Sequence, residues 1–137
     1  MQDADTILLV EDDTVDAMTV KRALKDINVT NKVVHVTNGE EAWNYLNDPN
    51  HSKPFLILLD INMPKMSGIE LLKILKEDQD LIRIPVVMLT TSTNDRDIIQ
   101  SFNLCVAGYM IKPVDYQHFV ETMRTVENYW RLSRRPA

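Results

Sequence analysis

The run Pro54-Phe55-Leu56-Ile57-Leu58-Leu59-Asp60-Ile61-Asn62-Met63-Pro64 decides how this chain of 137 residues is read. Its apolar part is short and does not alternate, which suits a strand covered on both faces. Such strands belong to parallel sheets flanked by helices, where ligands bind outside the carboxyl ends of the strands. Asp60 stands at such an end. An aspartate after a strand also starts turns and caps helices, and taken alone that is its commoner role. The rest of the chain decides between the two.

Working outward, the chain alternates strand-like and helix-like segments. Thr6 to Val10 is a short apolar strand that breaks into Glu11-Asp12-Asp13. Between Thr14 and Ile27, Val15, Met18, Ala23, Leu24 and Ile27 fall at helical spacing and predict an amphipathic helix. Lys32 to Thr37 is β-branched and strand-like, and His35 within it is assigned no role. Asn38 with Glu41 opens a helix to about Asn47. Asp48 to Lys53 is turn-rich and leads into the central strand. Ser67 with Glu70, at capping-box spacing, opens a third helix carrying Leu71, Leu72, Ile74 and Leu75. Ile84 to Leu89 is a fourth strand ending in Thr90, Asn94 caps a helix to about Leu104, and Gly108 to Ile111 is a fifth strand ending in Lys112-Pro113. Asp115 caps a last helix carrying Phe119, Val120, Met123, Val126, Tyr129 and Trp130. The basic stretch from Arg131 to Arg135 reads as a frayed, solvated end.

Composition bounds the function. Twenty acidic against fifteen basic residues give a formal charge of -5, which argues against nucleic acid as the main partner. No apolar run approaches a membrane span, and the start, Met1-Gln2-Asp3-Ala4-Asp5, is acidic where a signal peptide is basic, so the expected location is cytoplasmic. The lone cysteine, Cys105, excludes an internal disulfide and is expected to be a small buried residue. The expected organisation is a single domain over 1–137, with its core at 6–130 and a basic tail at 131–137. No DNA-binding or catalytic output domain fits beside it, so output is expected to run through contact with another protein.

Five βα units joined by right-handed crossovers predict an α/β protein: one doubly wound (βα)5 flavodoxin-like domain whose five-stranded parallel sheet has the order 2-1-3-4-5. All strands then end on one rim, which carries Glu11, Asp12 and Asp13, then Asp60, Thr90 and Lys112. The first and third strands are neighbours in that order, so the acids converge. Crowded carboxylates either hold a proton or bind a cation. A hard divalent ion suits oxygen ligands, and Mg²⁺ favours a few carboxylates, waters and phosphate oxygens, which points to phosphoryl chemistry.

These residues resemble the response-regulator receiver domain, of the single-domain chemotaxis type, over about 6–130. The likeness is carried by Glu11-Asp12 after strand one, Asp60-Ile61-Asn62-Met63-Pro64 with Gly68, Thr90 after strand four, and Tyr109 three residues before Lys112-Pro113. The turn-rich insert before the central strand and the Tyr129-Trp130-Arg131 ending look similar to regulators that serve bacterial phytochrome kinases. The resemblance implies that Asp60 is the phosphoacceptor for a phosphohistidine on a sensor histidine kinase. Asp12 and Asp60 would hold Mg²⁺ directly, the backbone carbonyl of Asn62 would supply another ligand, and Glu11 would orient coordinated water. Lys112 would pair first with Asp60 and then with a phosphoryl oxygen, and the Thr90 hydroxyl would donate to another. Tyr109 would follow Thr90 inward and remodel the surface of the fourth helix, fifth strand and fifth helix, which would serve a homodimer or a downstream protein. The family usually has a cis peptide at Lys112-Pro113. Such a protein is a signalling switch rather than an enzyme, assisting only its own phosphoryl transfer and autodephosphorylation. Asn62 and Ser92 hold positions linked in the family to dephosphorylation rate.

Three consecutive acids leave the pair assignable as Glu11-Asp12 or Asp12-Asp13; strand length favours the first. Two other classes use similar parts. A haloacid-dehalogenase-like Mg²⁺-dependent phosphatase wants a second Asp two residues after the first, where Asn62 stands. A flavodoxin-like nucleotide or flavin binder wants a phosphate-cradling loop after strand one, where the three acids would repel phosphate.

Overall fold

The computed structural model describes residues 5–112 and 115–132, the last three by backbone alone. Five parallel strands, β1 (Ile7–Val10), β2 (Val33–Val36), β3 (Leu56–Leu59), β4 (Val86–Thr90) and β5 (Gly108–Ile111), form one sheet in the order β2-β1-β3-β4-β5. Helices α1 (Thr14–Asp26), α2 (Gly39–Asn47), α3 (Gly68–Glu77), α4 (Asp95–Asn103) and α5 (Tyr116–Leu132) connect and cover it. The fold and strand order are those expected.

The unbroken apolar runs are explained by two-sided burial. β1, β3 and β4 are buried along their whole lengths, whereas the edge strands β2 and β5 are mostly half-buried. Alternate side chains supply two core layers. Ile7, Leu9, Leu56, Leu58, Val87 and Leu89 pack with α1 and α5, and Leu8, Val10, Ile57, Leu59, Val86 and Met88 pack with α2 and α3.

Register places the rim. Val10 pairs with Leu59 and with Val36, and Thr90 pairs with Ile111. The residues that follow, Glu11, Asp60 and Lys112, therefore leave the sheet together, anchored by Asp60 N–H to Val10 O at 3.0 Å and Lys112 N–H to Thr90 O at 2.8 Å.

Local expectations differ at four points. In α1 the core face is Ala17, Val20, Ala23 and Leu24, while Val15 and Met18 are 70% and 64% exposed. At 100° per residue they lie on the opposite side from Ala17 and Val20, so apolar spacing alone had merged two faces. A 3-10 turn at Leu81–Arg83, absent from the sequence reading, precedes β4; the Asp78 carboxylate accepts from the N–H groups of Asp80 and Leu81 to form it. Cys105 is exposed rather than buried. It follows the α4 C-cap with φ 60°, and its N–H and that of Val106 close the helix onto Phe102 O and Ser101 O, so it stands in the turn that ends the helix. Helix α5 continues to Leu132, so Arg131 is helical rather than part of a tail; the Lys112-Pro113 peptide and residues 133–137 lie outside the described residues.

Candidate functional site

Glu11, at the end of β1, is 1% exposed, and Asp60, at the end of β3, is 6% exposed. With the exposed Asp12 they bring carboxylate oxygens within 4.8 Å of one another. Asp13 is placed differently: it caps α1, its carboxylate accepting from Asp16 N–H at 3.0 Å, while its own N–H donates to Glu11 Oε2 at 3.2 Å. The acids that converge are thus Glu11 and Asp12, the first of the two pairings left open by the sequence. Asn62 N–H donates to Asp60 Oδ1 at 3.4 Å.

The turn after Asp60 owes its shape to Gly68. A Cβ at that position would stand 2.1 Å from Asp60 O and 2.9 Å from Ile61 Cα, and Gly68 N–H donates to Ile61 O at 3.0 Å. Ser67 and Glu70 form the expected capping box and start α3 directly beside this contact.

Lys112, at the end of β5, reaches into the acids. Its Nζ donates to Glu11 Oε1, lies 3.0 Å from Asp16 Oδ2, and is 3.5 Å from Asp60 Oδ2. The expected Lys112–Asp60 pairing is therefore one of three, and the least close. Asp16 was not identified from the sequence. Its only signal there is an acid in the first turn of a helix that starts at the rim, three residues after the cap.

Charge in the pocket is tightly balanced. Burial pushes the Glu11 carboxyl up to about 8; the hydrogen bond from Lys112 pulls it down, and nearby Asp60 pushes it further up. Burial opposes the Lys112 ammonium, yet Glu11, Asp16 and Asp60 together hold it above the ordinary lysine value. All the donors are oxygens, and two of the three carboxylates are buried close together, where a divalent cation would relieve their mutual repulsion. The set fits a hard ion such as Mg²⁺.

A pH dependence follows. The folded value of Glu11 lies above its unfolded value of 4.5. The folded protein thus holds a proton that the unfolded chain has released between about 4.5 and 8, and its stability falls as pH rises through that window. Urea unfolding with chelator present, at pH 5.5 and about pH 8.5, is expected to show a larger fall for the wild type than for Glu11→Gln. Equal falls would contradict the protonated state of Glu11.

Thr90, at the end of β4, is fully buried, and Ser92 ties it to the neighbouring switch candidate. Ser92 N–H donates to Thr90 Oγ1 at 3.2 Å, Tyr109 O–H donates to Ser92 O at 2.9 Å, and Ser92 O–H donates to Asp97 Oδ2 at 2.7 Å. Burial first, and the negative charge of Asp97 and Asp60, push the Tyr109 phenol up, so it remains a donor. His35 Nε2 lies 2.7 Å from Glu11 O, a contact that fixes the end of β1.

Carboxylates at the ends of β1 and β3, a buried hydroxyl at the end of β4 and a lysine at the end of β5 define a class: residues 7–124 match the response regulator receiver domain, and the chain belongs to that family of phosphoacceptor signalling switches. Among its relatives are the response regulator Rcp1 of Synechocystis sp., 38% identical over 90% of this chain and 87% of that protein, and the probable methanogenesis regulatory protein FilR2 of Methanothrix harundinacea, 36% identical over 94% and 85%. The crystal structure of the phosphorylated cyanobacterial phytochrome response regulator RcpA superposes with a TM-score of 0.91 at 38% identity, covering 98% of this chain and 99% of that one. The Mn²⁺-bound form of Rcp1 gives 0.89 at 36% identity, over 97% and 99%. Neither the phosphatase nor the flavin-binding reading is favoured. Among the described residues no helix is long and apolar enough to cross a membrane.

Proposed function

We propose that this receiver takes its phosphoryl group on Asp60, from the phosphohistidine of a sensor histidine kinase, with Mg²⁺ as cofactor. The observation that carries this reading is the meeting of Glu11, Asp12 and Asp60 within 4.8 Å, with Lys112 Nζ 3.5 Å from Asp60 Oδ2. Asp12, Asp60 and the Asn62 carbonyl would hold Mg²⁺ directly and Glu11 would orient its coordinated water; when bound, the ion neutralises charge on carboxylates and phosphoryl oxygens. An Asp60 carboxylate oxygen attacks phosphorus, and the bond from phosphorus to the donor imidazole nitrogen breaks, the electron pair leaving with the imidazole. Lys112 turns its ammonium to one phosphoryl oxygen. Thr90, whose oxygen accepts from Ser92 N–H, donates a hydrogen bond from its hydroxyl to another.

The added group brings about -2 of charge and three acceptor oxygens. Drawing Thr90 inward breaks its bond with Ser92, frees Tyr109 to follow, and alters the α4–β5–α5 surface, where Ile99, Phe102 and Ile111 are exposed. That surface serves a downstream protein or a homodimer, and a nearly complete switch needs about 5.5 kcal/mol of preference for the active state. Hydrolysis of the acyl phosphate by water, beside Asn62 and Ser92, resets Asp60. Phe119 and Met123, both buried, contribute to the core instead of that surface.

The likeness to RcpA and Rcp1 favours a bacterial phytochrome as the kinase, acting in the cytoplasm on one receiver domain with its core at 6–130. Incubation with acetyl phosphate and Mg²⁺ is expected to add one hydroxylamine-labile phosphoryl group per chain, and none with chelator. Profiling against purified histidine kinases then identifies the donor. Repeated release of phosphate without a labelled protein, or no uptake at all, would overturn the reading.

A further inference from the structure

Asp16 belongs to no part of the receiver motif read from the sequence, yet its Oδ2 lies 3.0 Å from Lys112 Nζ, nearer than the 3.5 Å of Asp60 Oδ2. The two residues are 96 positions apart in the chain. Asp16 stands in the first turn of α1, where its own N–H is tied to the Asp13 cap. The amides of a helix start favour negative charge there. Its side chain is 41% exposed against 11% for that of Lys112. The ammonium is thus drawn between a buried side, Glu11 and Asp60, and an outward side, Asp16.

We propose that Asp16 is a positioning residue that holds the Lys112 ammonium on the α1 side of the pocket and thereby slows phosphoryl uptake by Asp60. This rests on the reading of Asp60 as the acceptor. Two effects act in the same direction. An ammonium has three donors, and the contact with Asp16 engages one that an incoming phosphoryl oxygen must recruit. The Asp16 carboxylate also repels an anionic phosphoryl donor as it nears the rim. Neutralising Asp16 removes both oppositions. Because the group is partly exposed, solvent and salt screen it, and the effect is moderate rather than absolute.

The test measures the second-order rate of phosphoryl uptake from acetyl phosphate, at saturating Mg²⁺, for the wild type, Asp16→Asn and Asp16→Glu. Asp16→Asn is expected to be about two- to fivefold faster than the wild type at about 0.05 M salt. The ratio falls toward one at about 0.5 M salt, where screening acts within about 4 Å. Asp16→Glu, which keeps the charge, stays near the wild-type rate. Unfolding midpoints recorded alongside separate any loss of helix stability from the effect on Lys112, since a merely structural role gives a ratio indifferent to salt. If the wild type takes up no phosphoryl group, the assignment of Asp60 falls and this one with it. If the wild type is phosphorylated but Asp16→Asn is unchanged or slower, if Asp16→Glu accelerates equally, or if the ratio ignores salt, the role of Asp16 alone is overturned.

Discussion

The Asp60→Asn protein is expected to take up no phosphoryl group from acetyl phosphate, a loss of at least about a thousandfold relative to the wild type. The carboxylate oxygen is the nucleophile in the reading set out above, and a carboxamide of the same shape offers none of comparable reactivity. The substitution is nearly isosteric, and the Asn62 N–H that now donates to Asp60 Oδ1 finds an amide oxygen in the same place. Folding is therefore retained, and circular dichroism and the unfolding midpoint serve as the control. The measurement is intact-protein mass or radiolabel after incubation with Mg²⁺. Uptake at a rate near that of the wild type would place the acceptor elsewhere and remove the chemical basis for the site.

Gly68→Ala is expected to be the most damaging small substitution near the pocket. A methyl group there would stand 2.1 Å from the Asp60 carbonyl oxygen, well inside van der Waals contact, and the obstructing atoms are backbone rather than the end of a flexible side chain. Either the turn after β3 shifts or α3 moves back from the sheet. Overpacking of this kind costs about 3 kcal/mol, a fall in the unfolding midpoint on the order of 10 °C. The chemistry is expected to suffer as well, because the displaced carbonyl belongs to the proposed acceptor residue, and small misplacements of a reacting group cost large factors in rate. Thermal unfolding and phosphoryl uptake measured together are expected to fall together. A variant with an unchanged midpoint would show that the close contact is relaxed in solution.

Much of this was legible in the chain itself, for identifiable reasons. The central strand was readable because burial on both faces imposes an unbroken apolar run, and Leu56–Leu59 is buried along its length. The helix starts were readable because Asn38, Ser67 and Asn94 cap through their own side chains, which is local chemistry. Rim residues were readable because they follow directly on strand ends and the parallel order fixes which strands are neighbours. What escaped were facts set by long-range geometry. Asp16 meets Lys112 across 96 positions, and nothing adjacent to either in sequence announces it. Val15 and Met18 are apolar yet exposed, because the face of α1 that meets the sheet is chosen by packing and not by hydropathy alone. Cys105 is exposed in the turn where a left-handed residue closes α4, a placement that composition does not encode.

Ser92 spends its amide on Thr90, its carbonyl on Tyr109 and its hydroxyl on Asp97, so three groups are moored to a single post. A partial rearrangement leaves at least one of these polar atoms stranded in a half-buried place, which is costly. In the proposed switch, intermediate positions would therefore be uphill on either side, and the loop would act as a toggle rather than a dial. A graded input, such as the intensity of a stimulus, would then be transmitted as the number of molecules thrown over and not as the degree to which each one bends.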